Sequence, residues 1–365
     1  MQAMERAPRY PAAALRAFCL EALERAGLRH ADAALVAESL IEADLRGVHS
    51  HGALRVGVYV DRLKAGSINP EAELEILHDS GAVAVADAQA GAGIALAARA
   101  MDLAIAKARA HGIGAVSVRN SNHCGMLAFF AMRALDAGCI GMAASNADAQ
   151  VAPWGARAKF LGTNPIAVAV PARDEMPLVL DMATSVVAHA RVKGAADRGE
   201  SIPADWAIDP SGRPTTDPAQ AMAGALLPFG AFKGSGIALL VDVLAGLLPG
   251  GRSGPEIVPL YQRLGEPQGV GHFFLALRVE TFEPLEAFTR RVDETIRRIR
   301  ALPPAPGAER ALLPGEQAFR RAREYRAQGI PLPADAVAEI ARTARLLDIK
   351  PPRPLVDLRQ EATPG

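Results

Sequence analysis

Arg46-Gly47-Val48-His49-Ser50-His51-Gly52-Ala53-Leu54-Arg55 is the stretch on which the reading of this 365-residue chain turns. Around it, from Ala12 to about Ala65, apolar residues recur at helical spacing: Leu15, Phe18, Cys19, Ala22 and Leu23, then Leu35, Val36, Leu40, Ile41 and Leu45. Gly27 and Gly47 are natural stops, so the pattern predicts about three helices, the last starting near Ser50 with that serine as its N-cap. His51 and Arg55 then share one helical face, four residues apart. An imidazole with its ordinary pKa of about 6.5 exchanges protons at neutral pH, and a guanidinium offers a planar fork to a carboxylate. Reduction of a 2-oxo acid needs both groups: a proton for the developing alkoxide and a clamp for the acid end. Taken alone, the same residues also read as a capped helix start with a solvated arginine. Further alternatives are a metal-dependent lyase or hydrolase site on His49, His51 and His123, although spacing fixes no complete ligand set, and a non-catalytic binding protein.

Downstream the periodicity changes. Gly93 to His111 reads as a helix, Ala115 to Val118 as a strand, Leu127 to Ala137 as a helix and Ile140 to Ser145 as a strand. Ile166 to Val170 and Leu178 to Leu180 add strands without long helices between them, which favours a mixed sheet over a strictly parallel one. Ala195 to Phe232 is rich in Pro, Gly, Asp and Thr and reads as an extended loop. The apolar run Ile237 to Leu248 is too short for a bilayer and contains Asp242, so a buried helix is expected within Gly234 to Leu248. A strand from His272 to Glu280, an amphipathic helix from Leu285 to Ile299, a Pro-rich break and a helical C-terminal region follow.

Acids and bases balance at 40 each, so no global field exists to hold a nucleic acid or an anionic membrane. Cys19, Cys124 and Cys139 form no C-x-x-C pair, and a reducing compartment suits them. With no apolar signal core in Met1 to Pro11, a cytoplasmic location is the expectation.

Three further constellations could carry chemistry. Asn120-Ser121-Asn122-His123-Cys124-Gly125 falls on a turn between a strand and a helix, a frequent position for reacting groups, though Asn and Ser there also serve as caps. Leu161-Gly162-Thr163-Asn164-Pro165 precedes Leu180-Asp181-Met182-Ala183-Thr184-Ser185, where a strand ends in a carboxylate followed by two hydroxyls that suit a phosphate. Asp181 would orient a histidine ring if it met one and would otherwise cap the strand end. In Pro228 to Gly236 a glycine-rich turn with Lys233 opens an apolar helix, as an anionic cofactor requires, without Walker spacing. Gly91-Ala92-Gly93 lacks the third glycine of a dinucleotide fingerprint.

The order of these motifs resembles one family, the malate/L-lactate dehydrogenases, which also contains sulfolactate, ureidoglycolate, diketogulonate and piperideine or pyrroline carboxylate enzymes. Its carriers are R-G-V-H-S-H-G-A-L-R at 46–55, N-S-N-H-C-G at 120–125, V-A-P-W-G at 151–155, L-G-T-N-P at 161–165, L-D-M-A-T-S at 180–185, F-K-G-S-G at 232–236 and P-G-E at 314–316. The resemblance implies a mixed α/β (α+β), non-Rossmann, sulfolactate dehydrogenase-like fold. A large, mostly antiparallel sheet (76–304) would bind NAD or NADP, and a helical unit would come from both chain ends (1–75 with 305–365). It further implies a homodimer acting on a small carboxylate: a 2-oxo or 2-hydroxy acid, or a cyclic imino acid. Proton transfer falls to His51 or His123 with Asp181 in support. Substrate contacts fall on Ser50, Arg55, Thr163 and Asn164, and cofactor contacts on Met182, Ala183, Thr184, Ser185 and Lys233, with Gly315 and Glu316 beside them. No metal is implied. Two departures stand out: Cys124 replaces a frequent aromatic residue, and Ala156 a usual glycine.

Overall fold

Leu15, Phe18, Cys19, Ala22 and Leu23 form the buried stripe of α1 (Ala12–Arg25), and Gly27, at φ +101°, ends the turn that leads to α2 (His30–Leu45). Arg46 and Gly47 close α2, and the chain does not resume as a helix at Ser50. It makes two 3₁₀ turns, His49–His51 and Ala53–Arg55, separated by an extended Gly52, before α3 (Val56–Lys64) begins. Ser50 is therefore not an N-cap, contrary to the expectation from spacing, because Gly52 interrupts the helical path. The computed structural model describes residues 7–355. Its described residues up to Lys64, with those from Gln317 onward, make one compact unit, and Ala65–Glu316 the other.

In the first unit the C-terminal helix Ala334–Leu347 lies against α3. A Cβ on Gly57 would fall 1.6 Å from Glu339 Oε1, and Arg342 Nη2 donates to Asp61 Oδ2 at 2.8 Å. Short strands at the two ends, Arg9–Tyr10 and Ile330–Pro331, pair antiparallel.

The second unit is built on a seven-stranded sheet: β1 (Glu75–Ser80), β2 (Val83–Asp87), β3 (Ile113–Ser121), β4 (Cys139–Ser145), β5 (Ile166–Val170), β6 (Leu178–Met182) and β7 (Val270–Arg278). Their spatial order is β1-β2-β3-β7-β4-β5-β6, with β2 and β3 parallel and every other neighbouring pair antiparallel. The last-made strand is thus the central one, and the residues it carries meet both halves of the sheet. Helix α4 (Gly93–His111) packs through alanines, and a Cβ on Gly114 of β3 would lie 2.0 Å from Ala104 O, so the glycine lets helix and strand approach. Small residues build this core.

Two expectations are corrected. The Ala195 to Phe232 region is not a plain loop: helices at His189–Arg198 and Pro218–Ala223 and a strand pair, Ala207–Ile208 with Ala225–Leu226, enclose a core of Val151, Leu161, Val192, Ile202 and Leu226. Nor is the apolar run around Asp242 a buried helix. It forms an α-helix, Phe232–Asp242, and a π-helical turn, Val243–Leu247, with Leu239, Leu240, Leu247 and Leu248 each at least half exposed. The buried face instead holds Asp242, which accepts from Asn146 Nδ2 at 3.1 Å and from Ser253 Oγ. Among the described residues no helix is long and apolar enough to cross a membrane.

Candidate active site

The Ser50-His51-Gly52 turn is held by a residue that periodicity passes over. Asp44, buried in the last turn of α2, accepts the Ala53 N–H on Oδ2 at 2.7 Å and pairs its Oδ1 with His49 Nδ1 at 2.8 Å. A Cβ on Gly52 would lie 2.0 Å from Asp44 Oδ1. Glycine is required there by the carboxylate it packs on. Burial raises the Asp44 pKa, opposed by the His49 and Ala53 hydrogen bonds. His49 also stacks on Tyr325, with ring centroids 6.2 Å apart. That bracing role replaces the metal-ligand alternative for His49, and among the described residues no group of three or more His, Cys, Asp or Glu side chains is arranged to hold a metal ion.

Ser50 Oγ stands 2.9 Å from His51 Nδ1, and Arg55 Nε donates to the Ser50 carbonyl at 2.6 Å. The half-buried His51 ring is pushed down to about 3, first by desolvation and then by the positive charge of Arg55. At neutral pH it is an uncharged imidazole. This arrangement suits a carboxylate, whose charge would offset the second of those causes.

In the second unit, β3 ends in a turn built around Asn122. Its buried amide donates to Ala90 O at 2.8 Å and Gly91 O at 2.9 Å, and accepts the Gln268 N–H at 3.3 Å. His123 gives its N–H to Gln268 Oε1 at 3.0 Å and accepts the Gly125 N–H on Nδ1 at 3.3 Å. The neutral ring therefore carries its hydrogen on Nε2, an assignment made from the hydrogen-bond network. Cys124 is buried, and its thiol is pushed up to about 12 by burial, with the Asp181 charge adding and a Ser145 hydrogen bond opposing. It is no thiolate nucleophile at neutral pH.

Asp181, exposed at the end of β6, accepts the Ala128 N–H on Oδ2 at 2.9 Å, at the start of helix Ala128–Arg133. Asn164 is fully buried at φ +30°, accepting from Ala147 N at 3.1 Å and donating to Ala238 O at 2.9 Å. The Thr163 carbonyl receives both the N–H and the hydroxyl of buried Thr184, at 2.8 and 2.9 Å, and Ser185 Oγ donates to Val187 O at 2.8 Å. These hydroxyls bind the scaffold together, whereas Met182 and Ala183 keep partial exposure. Lys233 is exposed in the first turn of the Phe232–Asp242 helix, after Gly230 and Ala231 at φ +54° and +61°. Gly315, at φ +83°, packs on Val179 of β6, and buried Glu316 accepts the Leu313 N–H at 3.3 Å and pairs with Arg300 and Arg310.

Arg191, Lys193 and Arg198, the cations of the His189–Arg198 helix, all have local partners. Arg191 lies over the Trp206 ring at 5.4 Å, Lys193 pairs with Asp197 at 2.7 Å and Arg198 with Glu200 at 2.8 Å. Three supporting residues went unread in the sequence: Asp44, Gln268 and His272. Only Asp44 left a local signal, an acid in the last turn of a helix, where the macrodipole disfavours it.

Residues 10–341 match the family model described as malate/L-lactate dehydrogenase. A malate dehydrogenase of Pyrococcus abyssi is 38% identical over 350 residues, covering 94% of this chain and 96% of the relative. An Escherichia coli O157:H7 ureidoglycolate dehydrogenase (NAD(+)) is 36% identical, covering 85% and 88%, and a Chromohalobacter salexigens (2R)-3-sulfolactate dehydrogenase (NADP(+)) is 35% identical, covering 87% and 93%. Among solved structures, sulfolactate dehydrogenase from Methanocaldococcus jannaschii superposes with a TM-score of 0.87 at 34% identity, covering 94% of this chain and 98% of that one. A delta1-piperideine-2-carboxylate reductase from Pseudomonas syringae gives 0.82 at 29%, covering 93% and 99%. With its motifs in order, its sheet matched and nearly its whole length covered, this chain belongs to the malate/L-lactate dehydrogenase family.

Proposed function

We propose that this oxidoreductase moves a hydride between the nicotinamide of NAD or NADP and a small 2-oxo or 2-hydroxy acid of the malate/lactate type, or a cyclic imino acid of the piperideine or pyrroline carboxylate type. The observation that carries the reading is His51, a desolvated imidazole within electrostatic reach of Arg55 on a turn locked by Asp44. Arg55 grips the substrate carboxylate, its guanidinium plane set by the bond to the Ser50 carbonyl. Charge offset on Arg55 then raises the proton affinity of His51, which gives the proton to the carbonyl oxygen or imine nitrogen. Ser50 orients the ring through Nδ1. A second reading gives this proton to His123, whose Nδ1 accepts from Gly125 and whose Nε2 is thereby the donor.

When bound, the nicotinamide supplies the hydride chemistry. Lys233, exposed at a glycine-rich helix start, suits the pyrophosphate, and partly exposed Met182 and Ala183 suit the neighbouring contacts. Thr184, Ser185, Gly315 and Glu316 act by holding β6 and its surroundings, as Thr163 and Asn164 hold the adjoining loop. Asp181 fixes the start of helix Ala128–Arg133 and adds negative charge near Cys124. Relatives carry NAD(+) in one name and NADP(+) in another, and the paired cations at 189–198 give no ground for preferring either. A cytoplasmic homodimer completes the reading, supported by three free buried thiols and by the exposed leucines at 239–248.

Assaying 2-oxo acids against cyclic imines with NADH and NADPH tests the reaction class, and a flat nicotinamide absorbance across the whole panel refutes it. His51→Ala is expected to lower kcat by about 100- to 10,000-fold with cofactor affinity unchanged. Unchanged turnover in that variant moves the proton to His123.

A further inference from the structure

Strand β7 carries His272 into the centre of the sheet, opposite Val118 of β3 and Ser145 of β4, where it is fully buried. Its Nε2 lies 2.9 Å from Ser121 Oγ and its Nδ1 3.0 Å from Ser145 Oγ. Each serine also reaches backbone carbonyls: Ser121 Oγ lies 3.4 Å from Asn122 O, and Ser145 Oγ lies 2.9 Å from Asn146 O and 3.1 Å from Gly271 O. The ring is also hydrogen-bonded to the Asn122 backbone. Ser145 is also hydrogen-bonded to the Cys124 thiol.

Ser121 and Cys124 stand two residues before and one residue after His123. One buried ring thus ties both flanks of the turn that presents His123, through one hydroxyl on each side. Gln268, just ahead of β7, adds two more ties, receiving the His123 N–H at 3.0 Å and giving its own N–H to Asn122 Oδ1 at 3.3 Å. A core position needing only volume is filled as well by Phe or Leu, without the desolvation that four polar atoms cost. Burial depresses the His272 pKa to about 4, opposed by the hydrogen bond to the Asn122 backbone, so the ring stays neutral across neutral pH.

We infer that His272 is a positioning residue for His123, fixing the 121–124 turn from beneath through Ser121 and Ser145. The inference rests on the reading that His123 takes part in the reaction, and the two are tested separately. His272→Phe removes both ties. His272→Gln keeps an amide within reach of Ser121 and serves if the Phe variant fails to fold. In the folded variants the pH titration of the His123 ring, followed by NMR, is expected to shift in midpoint, more for Phe than for Gln. Turnover should fall about 10- to 100-fold with KM for the cofactor unchanged, and His272→Gln should add nothing in a His123→Ala background. An unmoved His123 titration, or an equal loss of turnover in both backgrounds, overturns the inference. Normal turnover in His123→Ala beside a shifted titration removes His123 from the reaction while upholding the positioning.

Discussion

Gly52 has no room for a methyl group, because the Asp44 carboxylate occupies the place where its Cβ would go. That contact ties the last turn of α2 to the Ser50-His51 turn, and the same carboxylate accepts the Ala53 N–H. Gly52→Ala must displace Asp44 or the turn, at a cost of about 1 to 3 kcal/mol. Asp44→Ala leaves the buried Ala53 N–H without its acceptor, about 1 to 3 kcal/mol by another route. Both variants should lose kcat as well as melting temperature, and Asp44→Asn, which retains an acceptor, should recover most of the stability. Full activity in a folded Gly52→Ala would dissociate the turn from catalysis. Ser50, His51 and Arg55 stand out in the sequence as candidates because their side-chain types name their chemistry. Asp44, Gln268 and His272 do not, since each acts on a neighbour that only the tertiary fold supplies. Asn164, Thr184 and Ser185 show the converse: polar types that suggest ligand contact, with their hydrogen bonds made inside the scaffold.

Among the elements, the segment from Phe232 to Leu248 departs most from its sequence reading. A run of apolar residues with one acid suggested burial, yet the acid is inside and the leucines are outside. Asn146 and Ser253 on neighbouring segments receive Asp242, and this outweighs the apolar run in setting which face turns inward. The sequence reading caught α1, α2, α4, β3 to β7 and Leu285–Arg300, because each has a periodic buried face. β1 and β2 go unread: the six residues of β1 are all exposed and leave no alternation to find, and Val83-Ala84-Val85-Ala86 of β2 is apolar on both faces, so its sequence shows no polar alternation either. The outward leucines are the surface on which the proposed homodimer would close, since contiguous exposed apolar area marks association sites. Leu240→Glu with Leu247→Glu, both at exposed positions, should leave the monomer folded and shift the mass by light scattering from dimer to monomer. A dimer that persists with both glutamates in place rules this face out.

For the molecule as a whole, the balance of 40 acids against 40 bases means that general charge repulsion is weak near neutrality, and pH dependence comes from particular buried groups. His272 and His51 are the strongest: burial holds the first at about 4 and burial with Arg55 the second at about 3, against about 6.5 in the unfolded chain. Below about 6.5 the unfolded chain takes up protons that the native state refuses, so stability rises with pH through this range. The contribution of these two rings is complete above about pH 6.5 and is lost progressively as the pH falls toward 4 and 3. For His272 alone, the gap between about 4 and the unfolded value corresponds to roughly 3 kcal/mol. Asp44 works in the opposite sense, since its raised pKa makes protonation favour the native state as the carboxylate range is approached. Melting temperature should therefore decline from pH 7 to pH 4.5, with a shallower decline in a folded His272→Gln because one titrating ring is gone. A wild-type curve that is flat over this range would mean that both histidines take up protons in the native state as readily as in the unfolded chain, and the desolvated resting state of His51 on which the proposed function rests would fall with it.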